Sequence, residues 1–100
     1  MNYQLWVNEE AEREIRQLPG NMRQRVRKSI QELGTQPRPS TSIGMEVEIS
    51  VPVEVRRIRL DAWRIIYIVD EELAEIGILA VRKRPPYDYA DLDKLLAQLN

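Results

Sequence analysis

No cysteine and no histidine occur anywhere in this sequence. The first absence excludes disulfides and thiolate metal sites; the second removes the commonest metal ligand and the usual proton carrier near neutral pH. Any catalysis must therefore run on Arg, Lys, Tyr, Asp or Glu, and nothing calls for a metal or cofactor. Long apolar runs are missing as well. No stretch approaches the roughly 20 residues that span a bilayer, and Met1 to Glu10 has no basic region leading into an apolar one. The expectation is a cytoplasmic protein without membrane contact. Net charge is also small, at −1, which argues against coating nucleic acid by bulk electrostatics, since that attraction scales with the phosphates neutralised.

What charge there is, is segregated. Between Arg56 and Arg64 stand four arginines and one acid, Asp61, and Arg82, Lys83 and Arg84 follow as a run. The acids gather at Glu9, Glu10, Glu12 and Glu14, at Glu71, Glu72 and Glu75, and at Asp88, Asp91 and Asp93. A neutral molecule with one basic face results. At 100 residues the chain has room for a single domain, 1–100, burying about two-thirds of its unfolded surface.

Patterning gives an α+β order. Tyr3, Leu5 and Val7 alternate with polar or aromatic neighbours as a short strand. Asn8 caps a helix whose buried stripe is Ala11, Ile15 and Leu18, ended by Pro19-Gly20. Asn21 caps a second helix with Met22, Val26, Ile30 and Leu33 inside, closed by Gly34. After a Pro- and Ser/Thr-rich loop, Met45, Val47, Ile49 and Val51 alternate as an edge strand that Pro52 interrupts. Strands then run over 53–60, 63–69 and 75–82, with a turn at Asp61-Ala62, and Leu92, Leu95, Leu96 and Leu99 mark a terminal helix within 89–99. The fold read here is a strand, a helical hairpin, a three-strand antiparallel meander completing one sheet, and a C-terminal helix.

In RRIRLDAWRIIY, Arg57 and Arg59 are two apart, so a strand points both to one face and Ile58 and Leu60 to the other. A hairpin at Asp61-Ala62 brings Arg64 alongside, within reach of the same phosphates. Taken singly, each arginine is as well explained by keeping a sheet face soluble. Three converging without acidic partners on their strands point to an anionic ligand, with Glu54 the only nearby acid to offset them. The tail VRKRPPYDY adds Arg84, then Tyr87 and Tyr89 beyond a Pro-Pro kink expected to hold the backbone extended. A guanidinium stabilises charge on a phosphate; a tyrosine stacks on a base or moves a proton, or packs as the staple that seats the final helix. Arg56, Arg82 and Lys83 would extend an RNA-contacting surface, the last two as edge residues rather than catalytic ones. Most helical cations belong to a solvated amphipathic face, with Arg23, Arg27 and Lys28 a candidate auxiliary phosphate patch. Trp63 and Tyr67 are assigned to the core.

With those residues in place, the chain resembles, nearly end to end, the RelE/ParE superfamily of bacterial and archaeal toxin-antitoxin toxins. The specific part is RRIRLDAWRIIYIVD followed by ILAVRKR and a trailing tyrosine. The resemblance implies a RelE-like fold and a toxin held by a cognate antitoxin, with operator DNA met only through that antitoxin. In the RelE branch, favoured by the arginines, it implies a metal-independent endonuclease acting on ribosomal A-site mRNA, in which a ribose 2′-hydroxyl attacks the adjacent phosphate. Carried over residue by residue, Arg57 and Arg59 match the paired basic positions, Arg64 the arginine after the turn and Arg84 the one ending the last strand. Tyr89, with Tyr87 as the alternative, matches the C-terminal tyrosine. Arginine's pKa above about 12 leaves it no role as a base, so Glu54 or a tyrosine is the candidate. Asp61-Ala62 replaces the glycine usual at the turn, arginine stands where lysine is common, and the chain is less basic than nuclease members. The alternatives are a ParE-like inhibitor of DNA gyrase, and an inactive corepressor acting with its antitoxin.

Overall fold

The computed structural model describes residues 2–47 and 50–99. Strand β1 (Gln4–Val7) leads into helices α1 (Glu9–Arg16) and α2 (Gly20–Leu33), followed by strands β2 (Ser42–Gly44), β3 (Glu54–Leu60), β4 (Trp63–Asp70) and β5 (Glu75–Lys83) and helix α3 (Leu92–Ala97). These strands form one sheet in the order β1-β5-β4-β3-β2, with β1 parallel to β5 and the other pairs antiparallel. The α+β reading holds.

Each face of the sheet has its own apolar layer. Ala11, Ile15, Leu18, Val26, Ile30 and Leu33 from α1 and α2 pack on Ile58, Ile65, Tyr67, Val69, Ile76, Ile78 and Val81. On the other face Leu92, Leu95 and Leu96 of α3 cover Val55, Ile66, Ile68, Leu79 and Ala80. The helices form for the reasons their sequences give. Asn8 Oδ1 accepts the Ala11 N–H at 2.8 Å, and Glu9, Glu10 and Glu12 occupy the first turn, where the helix dipole favours negative charge. Tyr67, fully buried, donates its hydroxyl to the Pro37 carbonyl at 2.7 Å.

An irregularity in β5 decides which way the basic tail points. Between Ile66 and Tyr67 the β4–β5 register slips, Ile66 facing Ala80 and Tyr67 facing Ile78, so Leu79 is an extra residue on β5. Before it Ile76 and Ile78 face the helical hairpin; after it Val81 does, and Ala80 turns to the α3 side. A bulge of this kind re-aims every side chain beyond it.

Several boundaries differ from expectation. The edge strand lies at Ser42–Gly44, and the described residues of the expected run, 45–47 and 50–51, belong to no strand. Met45 and Val47 turn their side chains onto the α3-side layer, and only the Met45 N–H reaches β3, at the Val55 carbonyl; Glu48 and Ile49 lie outside the described residues. The second helix begins at Gly20 behind Pro19, not Asn21, because the first N–H groups of a helix need no intrahelical partner and proline lacks one to lose. Strand β1 starts at Gln4 because the Tyr3 N–H goes to the Gly34 carbonyl. Residues 84–86 form a turn, closed by Tyr87 N–H donating to Lys83 O at 3.0 Å, not an extended run. Helix α3 is only the six residues Leu92–Ala97, and Trp63 is half-buried rather than core.

Candidate nucleic-acid interface

Alternation along β3 sends Val55 to the α3 side, and with it Arg57 and Arg59. Cross-strand pairing then extends the set: Arg59 faces Arg64, and Arg64 faces Arg82, a row of three arginines across three strands. One step inward Arg57 stands opposite Ile66, at the margin of the α3 layer. Like charges paired this way destabilise a sheet unless an anion offsets them.

The β3–β4 turn that creates this row is built on Asp61, at φ 53°. Aspartate tolerates the left-handed region better than most residues, which is how the turn forms without glycine. Its carboxylate is taken by Arg25 of α2 at 2.6 Å, and that hydrogen bond holds it below the usual carboxylate range. Arg64 Nη1 donates to the Asp61 and Trp63 carbonyls at 3.0 and 3.1 Å, fixing the half-buried side chain over the turn. The Arg84 N–H donates to Ala62 O at 2.7 Å, tying the end of the last strand to the same corner.

From that corner the chain folds back over the sheet and sets Tyr89 among the arginines. The Arg57 and Arg84 guanidinium carbons lie 5.1 and 5.0 Å from its ring centroid, both within cation–π range. Tyr87 meets the same ring edge-on, centroids 4.9 Å apart. Tyr89 itself has φ 64°, a conformation that costs a bulky residue about 1–3 kcal/mol and persists only where its surroundings impose it. Its hydroxyl is buried, with no hydrogen-bond partner among the described residues. Among the described residues no carboxylate pairs with Arg57, Arg59, Arg64 or Arg84.

The other sequence candidates are placed elsewhere. Arg82 is enclosed by Asp91 at 2.8 Å, Glu10 at 2.9 Å and Glu14, and stacks on Tyr87 at 5.0 Å. It links α1, β5 and the start of α3. Arg56 points to the opposite face, bonded to Glu54 and to Ser42 Oγ. Glu54 goes with it, away from the row: burial pushes its carboxyl up, but hydrogen bonds from Arg56 and Arg38 outweigh that and leave it below its usual range. It is neither placed nor tuned to act as a base there. Lys83 is exposed beside Trp63. On the helical-hairpin layer, Arg23 donates to the Leu18 and Arg16 carbonyls, Arg27 pairs with Glu12 at 3.0 Å, and Lys28 is exposed, apart from the arginine row. Tyr87 donates to Asp91 at 2.7 Å, and burial followed by that bond raises its phenol well above the ordinary value.

Sequence reasoning missed the acids around Arg82. Glu10 and Glu14 are four apart on one helix face, where like charges repel unless a cation lies between them; that spacing was the available signal. Glu14 has a second task, accepting the Val81 N–H at 2.9 Å where β1 no longer covers the edge of β5. Burial raises its carboxyl, against the Val81 and Arg82 contacts.

Residues 7–85 match the model of a family described as the ParE toxin of the type II toxin-antitoxin system, parDE. No curated protein matches the sequence. Among solved structures, the archaeal RelE–RelB complex from Pyrococcus horikoshii OT3 aligns with a TM-score of 0.75 at 23% identity, over 87% of this chain and 100% of that one. The RelBE2 complex of Mycobacterium tuberculosis gives 0.70 at 21%, over 84% and 100%. The isolated E. coli RelE toxin gives 0.64 at 20%, over 98% and 99%.

Proposed function

We propose an RNA-cleaving activity for this chain, which belongs to the ParE toxin family of type II toxin-antitoxin systems within the RelE/ParE superfamily. The observation that carries the reading is the convergence of Arg57, Arg59, Arg64 and Arg84 around one corner of the sheet, where none of them is ion-paired with a carboxylate among the described residues. Such a corner fits a phosphodiester in a strand of RNA. In the reaction the 2′-oxygen of a ribose bonds to the adjacent phosphorus and the bond to the 5′-oxygen breaks. A 2′,3′-cyclic phosphate and a free 5′-hydroxyl result, one proton leaving the first oxygen and one arriving at the second. Arginine cannot take the first proton. Its contribution is to orient the phosphate and stabilise the charge that builds on it, each well-placed donor being worth about a hundredfold.

The substrate in this reading is mRNA in the ribosomal A site, where ribosomal groups or water accept the proton. The partner that silences the protein is a cognate antitoxin, as in the solved RelE–RelB and RelBE2 complexes; an acidic segment laid over the arginine corner would do so, and operator DNA would be reached through it. Translation-dependent cleavage of a reporter mRNA by the purified chain is the test: 2′,3′-cyclic phosphate ends support the reading, and intact mRNA sinks it.

Inhibition of DNA gyrase by direct protein contact is a second reading, favoured by the match of residues 7–85 to the ParE model. Loss of gyrase supercoiling in the presence of the chain, with mRNA intact, would put it first.

A further inference from the structure

Tyr89 carries two features that pull apart the usual tasks of a tyrosine at a basic site. Its hydroxyl is buried and without a partner among the described residues, so it reaches neither a ribose oxygen nor a phosphate unless the ring leaves its seat. Its ring, by contrast, is engaged on every count: Arg57 at 5.1 Å, Arg84 at 5.0 Å, and Tyr87 edge-on at 4.9 Å with an interplanar angle of 67°. Two guanidiniums that share one ring centroid at these distances lie within about 10 Å of each other, so both are within reach of the phosphates of one RNA strand. Left to themselves they would repel. The electron-rich ring face attracts both and lowers the cost of keeping them together before a phosphate arrives.

The seat of that ring is braced from behind. Tyr87 is fixed by its hydrogen bond to Asp91 at 2.7 Å, and Asp91 by Arg82 at 2.8 Å. The backbone at Tyr89, where the ring meets the arginines, is left-handed, φ 64°. A chain of contacts therefore runs from Arg82 through Asp91 and Tyr87 to Tyr89, and ends at two arginines that pair with no carboxylate among the described residues.

We propose that Tyr89 is a positioning residue whose ring, and not its hydroxyl, holds Arg57 and Arg84 together as one phosphate-binding pair. The proposal rests on the RNA-cleaving reading for its consequence in activity, but the arrangement can be tested apart from it.

The experiment compares wild type with Tyr89→Phe and Tyr89→Leu. Cleavage of ribosome-bound mRNA should fall roughly a hundredfold in Tyr89→Leu, through loss of donor placement. Tyr89→Phe should restore it to within about threefold, since phenylalanine keeps the attractive ring face. The pH profile of Tyr89→Phe should match wild type. In parallel, proton NMR should show the δ-methylene resonances of Arg57 and Arg84 shifted upfield by the ring in wild type and Tyr89→Phe, and at ordinary positions in Tyr89→Leu. A Tyr89→Phe variant as inactive as Tyr89→Leu, or one that loses a limb of the pH profile, overturns the proposal by giving the chemistry to the hydroxyl. If wild type cleaves nothing, the nuclease reading fails by itself, and the resonances decide the rest: ring-shifted signals uphold the pairing, and their absence in wild type removes it.

Discussion

Trp6 lies across the face of Gly77, its indole ring filling the space where any other residue would carry a side chain. The two are partners in the β1–β5 register, and the ring joins the α3-side layer, on the face opposite Tyr3 and Val7 as strand alternation places it. Gly77→Ala should therefore destabilise the fold by about 2 kcal/mol, because the methyl collides with an indole rather than with a flexible chain end. Trp6→Ala removes the collision partner, so the double variant should be less destabilised than the sum of the two single changes. Urea unfolding of the four proteins measures this, and strict additivity would refute the contact.

The same contact shows why some of the fold was legible and some not. The helical hairpin could be read because its signals are local: Asn8 as cap, Pro19-Gly20 as stop, and stripes at 3.6-residue spacing. The α3-side row could be read because Arg57, Arg59 and Arg64 are placed by strand alternation and one turn. What failed depends on distant partners. The apolar run Ile76 to Val81 carries no alternation from which to locate the bulge at Leu79, yet that bulge turns Arg82 toward the α3 side. Met45 and Val47 alternate like a strand but pack onto α3, and nothing near them in sequence says so. The fate of Arg82 was set by acids 68 and 72 residues away.

Stability and activity should separate at the arginine corner. Arg84 is exposed, so Arg84→Ala should change stability by no more than about 0.5 kcal/mol. Arg64→Ala also gives up two hydrogen bonds to turn carbonyls and should cost about 1 kcal/mol. Each should lower cleavage roughly a hundredfold. Trp63→Ala should do the reverse, at about 2 kcal/mol for a half-buried ring, with activity following the folded fraction. Thermal unfolding and mRNA cleavage of the three variants check this; wild-type cleavage by a folded Arg64→Ala, Arg84→Ala double variant would remove these residues from the mechanism.

Arg82 should behave as a strut. Its side chain is 18% exposed and surrounded by Glu10, Glu14 and Asp91. Arg82→Ala leaves three carboxylates facing one another and should destabilise by about 2 kcal/mol, less than a fully buried pair because the acids keep access to water. Arg82→Lys should recover only part, since one ammonium cannot reproduce the guanidinium fork. If Arg82→Ala kept full stability and lost cleavage, the residue would belong with the phosphate-binding arginines after all.

Acid should weaken the fold through a definable set of carboxylates. Asp91 is pushed up by burial, but hydrogen bonds from Arg82 and Tyr87 outweigh this and leave it low; Glu54 behaves likewise with Arg56 and Arg38. Asp61 is lowered by Arg25, and Glu71 by the Tyr3 hydroxyl and then Arg38. For each of these the folded pKa lies below the ordinary value of 3.8 or 4.5, so the unfolded chain binds more protons in that range. Their stabilisation is complete above about pH 4.5 and drains away as pH falls through the depressed values. Glu14 has the opposite sign. Burial raises its carboxyl above 4.5, so what it contributes is present in acid and lost as pH rises through the raised value. Urea unfolding between pH 3 and 7 should show stability falling toward acid in wild type, falling less steeply in Asp91→Asn, and more steeply in Glu14→Gln, where that opposing carboxyl is gone. A shallower acid decline in Glu14→Gln than in wild type would mean that its contacts with Val81 and Arg82 outweigh its burial.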